Sequence, residues 1–202
     1  KLLMEDNLKE TIQTYDKIAN LYADYKFPKL LQFQLNKFIS LLIGKKILDA
    51  GCGPGRDLLY FKEEGLDVTG IDISKGMLRE CRRRTNIMGL EMDMRKMTFP
   101  ENIFDGIWCM ASFSDIPKED SSKVIDEFYR ILKRGGAIYL AVKEGEGVQV
   151  VKKEKYNNLP RVYVYYKLNE LENLLKKKFV ILNSSTANDN GTSWIEIFAK
   201  KI

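Results

Sequence analysis

The chain has 202 residues, 45% hydrophobic and 30% charged, with a formal charge of +5; that length supports one globular domain with a well-buried core. It contains no histidine, which excludes Ser/His/Asp and Cys/His catalysis, HExxH metal sites and any imidazole base. Cys52, Cys81 and Cys109 are too widely spaced for a disulfide framework or a zinc site, so reduced thiols and no metal are expected.

Residues 5–25 and 28–43 carry apolar residues at three- and four-residue spacing, predicting two amphipathic helices, the second begun by Pro28. From Lys46 the pattern changes to short apolar runs alternating with helical stretches, as in a parallel sheet covered on both faces. Strands are predicted near 46–50, 67–72, 87–92, 104–110 and 136–143, and helices near 55–64, 76–84, 119–133 and 168–177. Two late strands, near 178–183 and 193–200, are joined by TANDNG at 186–191. Its turn formers Asn188, Asp189, Asn190 and Gly191 predict antiparallel pairing. Residues 145–166 break the alternation: VQVV and RVYVYY flank a polar stretch, predicting an extra hairpin whose Tyr163, Tyr165 and Tyr166 form a candidate pocket wall.

The sequence ILDAGCGPGR, residues 47–56, places three glycines where a strand must turn into a helix. Glycine's positive φ and missing Cβ permit a tight turn and close approach by a ligand. The strand ends and the following helix N-terminus favour a nucleotide-like molecule. The spacing is GCGPG rather than GxGxxG, and Asp49 precedes it; a carboxylate there repels a pyrophosphate but suits an ammonium group. About 20 residues on, VTGIDIS ends a strand at Asp72, positioned to accept two ribose hydroxyls. The expected ligand combines an adenosine-like ribose with a cationic portion.

These segments, with LEMDMRKMTFPENIFDGIWCMASFSDIP and LKRGGAIYLAVKEGEG, resemble the successive motifs of class I S-adenosylmethionine-dependent methyltransferases of the small-molecule type. The resemblance runs from about residue 15 to the C-terminus. It implies an α/β, Rossmann-like, seven-stranded, mostly parallel sheet with helices on both faces and the last strand antiparallel. The cofactor implied is S-adenosyl-L-methionine, the product S-adenosyl-L-homocysteine.

By resemblance, Gly51, Cys52, Gly53 and Gly55 line the methionine part of the cofactor, with Asp49 near its amino group. Asp72 holds the ribose, Ile73 and Met77 pack on the adenine, and Asp93 with Met94 meets the adenine edge; Asp93 alternatively caps a turn. Cys109 and Ala111 fall near the sulfonium. YDKIANLYADY, residues 15–25, resembles a lid helix, matching Tyr15 and Tyr22 to residues that close over cofactor and acceptor; helix packing alone is the other explanation of those tyrosines. Phe113 and Tyr166 are candidates for an aromatic face beside the sulfonium. Near relatives often carry a histidine where SFSDIP has Asp115, so Asp115 and Glu144 are the candidate bases, and a turn or capping role for Asp115 is the alternative.

One domain over 1–202 is expected: lid helices to 43, a cofactor-binding core over 44–144, the hairpin, and a helix with antiparallel strands over 167–202. No apolar run approaches the roughly 20 residues of a membrane span and no signal-peptide zones are visible, so a cytoplasmic location is expected. Residues before Met4 are assigned no function. Arg82, Arg83 and Arg84 are expected at a helix C-terminus, where the dipole favours cations. The expected partner is a small-molecule acceptor, with no nucleic acid or membrane; the oligomeric state is open. Methylation of RNA or protein is the rival activity, and residues 110–113 read MASF where nucleic-acid amino methyltransferases carry an NPPY-like tetrapeptide. A cofactor-binding module without catalysis is the rival of another class.

Overall fold

The structure, a computed structural model, describes residues 2–189 and 191–202, the side chains from residue 7 onward. Helix α1 (Leu2–Lys26) and helix α2 (Gln32–Ser40) lead into strand β1 (Lys46–Ala50), helix α3 (Arg56–Glu63), strand β2 (Asp67–Asp72) and helix α4 (Lys75–Thr85). Strands β3 (Leu90–Glu91) and β4 (Phe104–Met110), helix α5 (Ser121–Ile131) and strand β5 (Leu132–Lys143) follow. Strands β6 (Val148–Val151) and β7 (Arg161–Val164), helix α6 (Leu168–Leu175), strand β8 (Val180–Asp189) and strand β9 (Thr192–Lys200) complete the chain.

Seven strands form one sheet in the order β3-β2-β1-β4-β5-β9-β8. The first five pair in parallel, and β9 runs antiparallel to both β5 and β8. Strand alternation divides the core. Leu48, Ile107, Leu140 and Val142 face α5 and α6, whereas Ile47, Trp108 and Tyr139 face α2 and α3. On the second side Trp108 stacks on Tyr139 with centroids 4.0 Å apart, and its indole Nε1 donates to Asp57 Oδ2 at 2.9 Å, so the buried N–H keeps a partner. Strands β6 and β7 form a separate antiparallel pair. Among the described residues no helix is long and apolar enough to cross a membrane.

Several boundaries differ from those the sequence predicts. Helix α2 begins at Gln32, four residues after Pro28; Leu30, in the turn between them, remains exposed, so that turn gains little from the core. Strand β3 shrinks to two residues because Asn86 takes a left-handed cap at φ 56° and Ile87 N–H donates to Thr85 Oγ1 at 3.1 Å. Strand β8 continues to Asp189, with Thr186 opposite Ile195 and Asp189 opposite Thr192, so the turn is far shorter than TANDNG. Asn190 lies outside the described residues.

Candidate active site

At the end of β1 the chain turns through Gly51, Gly53 and Gly55 at φ 79°, 52° and 87°. The N–H groups of Gly51 and Cys52 both donate to Ile71 O, at 2.8 and 2.9 Å, folding the loop over the end of β2. A Cβ on Gly51 would lie 2.2 Å from Ser112 Cβ, while one on Gly53 would meet nothing within 4 Å. Gly53 therefore presents bare backbone to open space. Gly55 caps α3, and a Cβ there would lie 2.6 Å from Cys81 Sγ. The third glycine serves packing and is not among the cavity-lining residues.

Asp72 closes β2. Its Oδ2 accepts from Gly53 N–H and its Oδ1 from Ser74 N–H, both at 2.8 Å. Burial raises its pKa, and the N–H groups of Ser74, Gly53 and Ile73 oppose the rise. Ile73 and Met77 line the same cavity, joined by Met92, Asp93 and Met94 after β3. The carboxylate of Asp93 accepts from Arg95 N–H at 2.8 Å and pairs with its guanidinium at 2.7 Å, and Arg95 also reaches Asp120 at 2.8 Å. Asp93 thus caps its turn while bordering the cavity.

After β4, Ala111 adopts φ 64°, a left-handed conformation costly for a residue with a Cβ. Its N–H donates to Ala141 O at 2.9 Å, and Ser112 Oγ donates to Ala50 O at 2.6 Å, which fixes the bend against β1 and β5. Asp115 follows on a short 3-10 turn, Phe113–Asp115. Its Oδ1 has no partner among the described residues. Burial lifts its pKa to about 7 despite Arg161, Lys143 and a hydrogen bond from Tyr15, with Asp72 adding to the rise.

Helix α1 roofs this cavity with Thr11, Tyr15 and Tyr22. It is fastened on two sides. Asp16 Oδ1 accepts from Ser74 Oγ and Gly76 N–H, both at 2.7 Å, and a Cβ on Gly76 would lie 2.6 Å from Asp16 Cα. Toward β7, Thr11 Oγ1 accepts from Val162 N–H at 2.9 Å and Thr14 Oγ1 donates to Pro160 O at 2.6 Å. Of the three arginines, Arg84 pairs with Asp24 of α1 at 2.6 Å.

A second cavity lies beside the glycine loop, lined by Asp49, Cys52, Lys26 and Arg56. Asp49 is 2% exposed and its Oδ2 has no partner among the described residues. Burial first, then Asp57, pushes its pKa well up. Arg56 donates to Asp57 at 2.6 Å and to Lys29 O at 2.6 Å. A third cavity opens between α1 and the β6–β7 pair, with Tyr163 in its wall. Tyr22 and Ala111 line all three, so the three spaces meet there.

Other expected residues stand apart from these cavities. The Cys109 side chain is fully buried 3.3 Å from Ser112 Oγ, and burial raises the thiol to about 12. Phe113 is buried in the core, its ring centroid 5.6 Å from that of Tyr166. The Tyr166 hydroxyl bonds Ser121 Oγ at 2.7 Å. Tyr165 packs over Gly145. Glu144 accepts from Ser193 Oγ at 2.5 Å and lines a surface depression with Lys167 and Asn169; strand alternation turns it away from Lys143, which does line the third cavity. Sequence reasoning missed Lys26, Arg56 and Arg161, because single cations in a lysine-rich chain give no local signal.

A family profile described as a methyltransferase domain matches residues 47–136. The matched residues are similar to a methyltransferase domain and hold the glycine loop, Asp72, Asp93 and Ala111. The chain is 29% identical over 136 residues, 65% of its length, to the malonyl-[acyl-carrier protein] O-methyltransferase of Salmonella typhimurium, of which 53% is covered. It is 32% identical over 106 residues, 50% of its length, to a ubiquinone biosynthesis O-methyltransferase of Pseudomonas aeruginosa, of which 45% is covered. The chain thus spans about half the length of these curated relatives. In fold it matches the 1,6-didemethyltoxoflavin-N1-methyltransferase of Burkholderia thailandensis with a TM-score of 0.74 at 19% identity, over 96% of this chain and 86% of that one.

S-adenosylmethionine is the cofactor of such methyltransferase domains, and the residues present fit it. The orphaned Asp49 oxygen lacks the counter-charge that an ammonium supplies. Lys26 and Arg56 in the same lining suit a carboxylate. The open face of Gly53 leaves room where a side chain would intrude.

Proposed function

We propose that this protein transfers a methyl group from S-adenosylmethionine to a nitrogen, oxygen or sulfur atom of a small molecule in the cytoplasm. One observation carries the reading: the cavity holding Asp72 and the cavity holding Asp49 meet at Tyr22 and Ala111, where the third opens. A nucleoside end and an amino-acid end fit the first two, leaving the third for the acceptor. Its closure by α1 and β6–β7 favours a small acceptor over folded RNA or protein.

When bound, S-adenosylmethionine supplies a methyl group on a sulfonium, and displacement by the acceptor's lone pair leaves the bonding pair on sulfur in S-adenosylhomocysteine. The chain's own task is chiefly orientation and water exclusion. Asp72 holds the ribose end, Asp49 with Lys26 and Arg56 the amino-acid end, and Ile73 and Met77 the base. Tyr15 and Tyr22 roof the junction and keep solvent from it. Asp115, with a pKa of about 7, is partly ionised at neutral pH and takes a proton at Oδ1 from an acceptor that carries one.

Calorimetric titration with S-adenosylmethionine, S-adenosylhomocysteine and NAD tests the reading. Binding of both sulfur nucleotides, with no heat from NAD, supports it, and absence of binding by either refutes it.

A further inference from the structure

The third cavity is walled by Lys26, Lys29, Lys143, Lys153, Lys155 and Arg161. Among the described residues none of these six side chains pairs with a carboxylate within 4.0 Å. Some lysines elsewhere do pair: Lys123 with Asp120 at 2.6 Å, Lys133 with Asp105 at 2.9 Å and Lys176 with Glu172 at 3.1 Å. What sets the cavity apart is that five lysines and a buried arginine share one wall.

Ring faces take the place of counter-ions. Lys143 Nζ lies 3.6 Å from the Tyr163 centroid, Lys155 Nζ 4.7 Å from that of Tyr25, and the Arg161 guanidinium carbon 4.6 Å from that of Tyr156. Such contacts attract cations but neutralise no charge. Arg161 is 3% exposed and its Nε has no partner among the described residues. Burial, then neighbouring cations, brings both Lys26 and Lys143 down to about 8. Two carboxylates face this space, Asp189 from the end of β8 and Asp115 from the cofactor side. Six cations facing two carboxylates leave an excess of positive charge, which is costly unless a ligand offsets it.

We propose that the acceptor is a small molecule bearing a phosphate or diphosphate ester, seated among Arg161, Lys143 and Lys153 with its reacting atom toward Ala111. This rests on the methyltransferase reading above. A phosphate carries close to two charges and three acceptor oxygens, which matches a wall of several cations better than a lone carboxylate does. Tyr25, Tyr156 and Trp194 offer flat surface to the organic part.

The test is titration of the full chain with sodium pyrophosphate as the probe, with and without saturating S-adenosylhomocysteine. Wild type should bind pyrophosphate, less tightly as salt rises. Arg161→Gln should weaken it about tenfold or more, which corresponds to about 1.4 kcal/mol. Lys153→Glu, at an exposed position that does not threaten folding, should weaken it severalfold while leaving S-adenosylhomocysteine affinity unchanged. A protein that binds S-adenosylhomocysteine but gives no pyrophosphate heat, or whose Lys153→Glu variant binds pyrophosphate as wild type does, overturns the inference. A protein that takes pyrophosphate but not S-adenosylhomocysteine refutes the cofactor reading and keeps the anion site. Bulk tRNA displacing pyrophosphate at equal phosphate concentration overturns the small acceptor in favour of RNA.

Discussion

On the cofactor side the wall is largely main chain, bent through Gly51 and Gly53 and clamped by one carboxylate, Asp72, to two N–H groups. On the acceptor side it is side chain, with Arg161 and Lys143 stacked on tyrosines and drawn from segments more than a hundred residues away from α1 in sequence. Backbone geometry at strand ends is dictated locally and tolerates little change. A lining of long side chains can be exchanged without disturbing the sheet. The proposed cofactor pocket is therefore the part held by the fold, and the proposed acceptor pocket the part free to vary.

The largest expected effect lies on the backbone side. Asp72→Ala should weaken S-adenosylmethionine binding about hundredfold or more, since it removes the ribose acceptor and orphans the N–H groups of Gly53 and Ser74; calorimetry reads the loss directly.

Two glycines then separate folding from binding. Gly51→Ala places a Cβ 2.2 Å from Ser112 Cβ at φ 79°, and should destabilise the fold by about 3 kcal/mol. Gly53→Ala meets nothing within 4 Å, and should cost about 1 kcal/mol yet lose at least tenfold in cofactor affinity. Thermal unfolding beside titration distinguishes them. Equal stability losses would break the assignment of Gly53 to the ligand.

At the border between the two sides, Asp115→Asn should lower turnover about tenfold to a hundredfold for a protonated acceptor, read as S-adenosylhomocysteine release. The wild-type rate should rise with pH through about 7 as Asp115 ionises, and the variant should lack that limb. Stability moves the opposite way. The carboxyl binds its proton more tightly folded than unfolded, so its contribution is full below its ordinary 3.8 and is lost as pH rises through about 7. Asp115→Asn should therefore raise the melting temperature at pH 8 and leave it unchanged near pH 3.

The smallest effect belongs to Glu144. Bound to Ser193 and outside all three cavities, it should tolerate Glu144→Gln with turnover within about twofold of wild type. A tenfold loss would return it to the list of bases.

The sheet was legible in the sequence because short apolar β-type stretches alternate with helical ones, and β1, β2 and β4 cover the expected 46–50, 67–72 and 104–110. The glycine loop and Asp72 were legible because their roles follow from φ and from distance along the chain. Short β3 and the late start of α2 were not, since capping by Asn86 and the absence of packing at Leu30 are settled by tertiary contacts. On the acceptor side Tyr163, Tyr165 and Tyr166 look alike in sequence, yet one lines the cavity, one covers Gly145 and one is buried in the core. Arg161 gave no signal at all, because its meaning depends on tyrosines supplied by α1 and by the segment joining β6 to β7.

The central claim is that Asp49 and Asp72 hold opposite ends of S-adenosylmethionine. A crystal structure of the protein with S-adenosylhomocysteine measures this most directly. The account predicts the ligand's ammonium nitrogen within about 3 Å of Asp49 Oδ2, its ribose hydroxyls on Asp72 and its sulfur facing Ala111. A ligand whose amino-acid end lies elsewhere, leaving the Asp49 oxygen still without a partner, would contradict it.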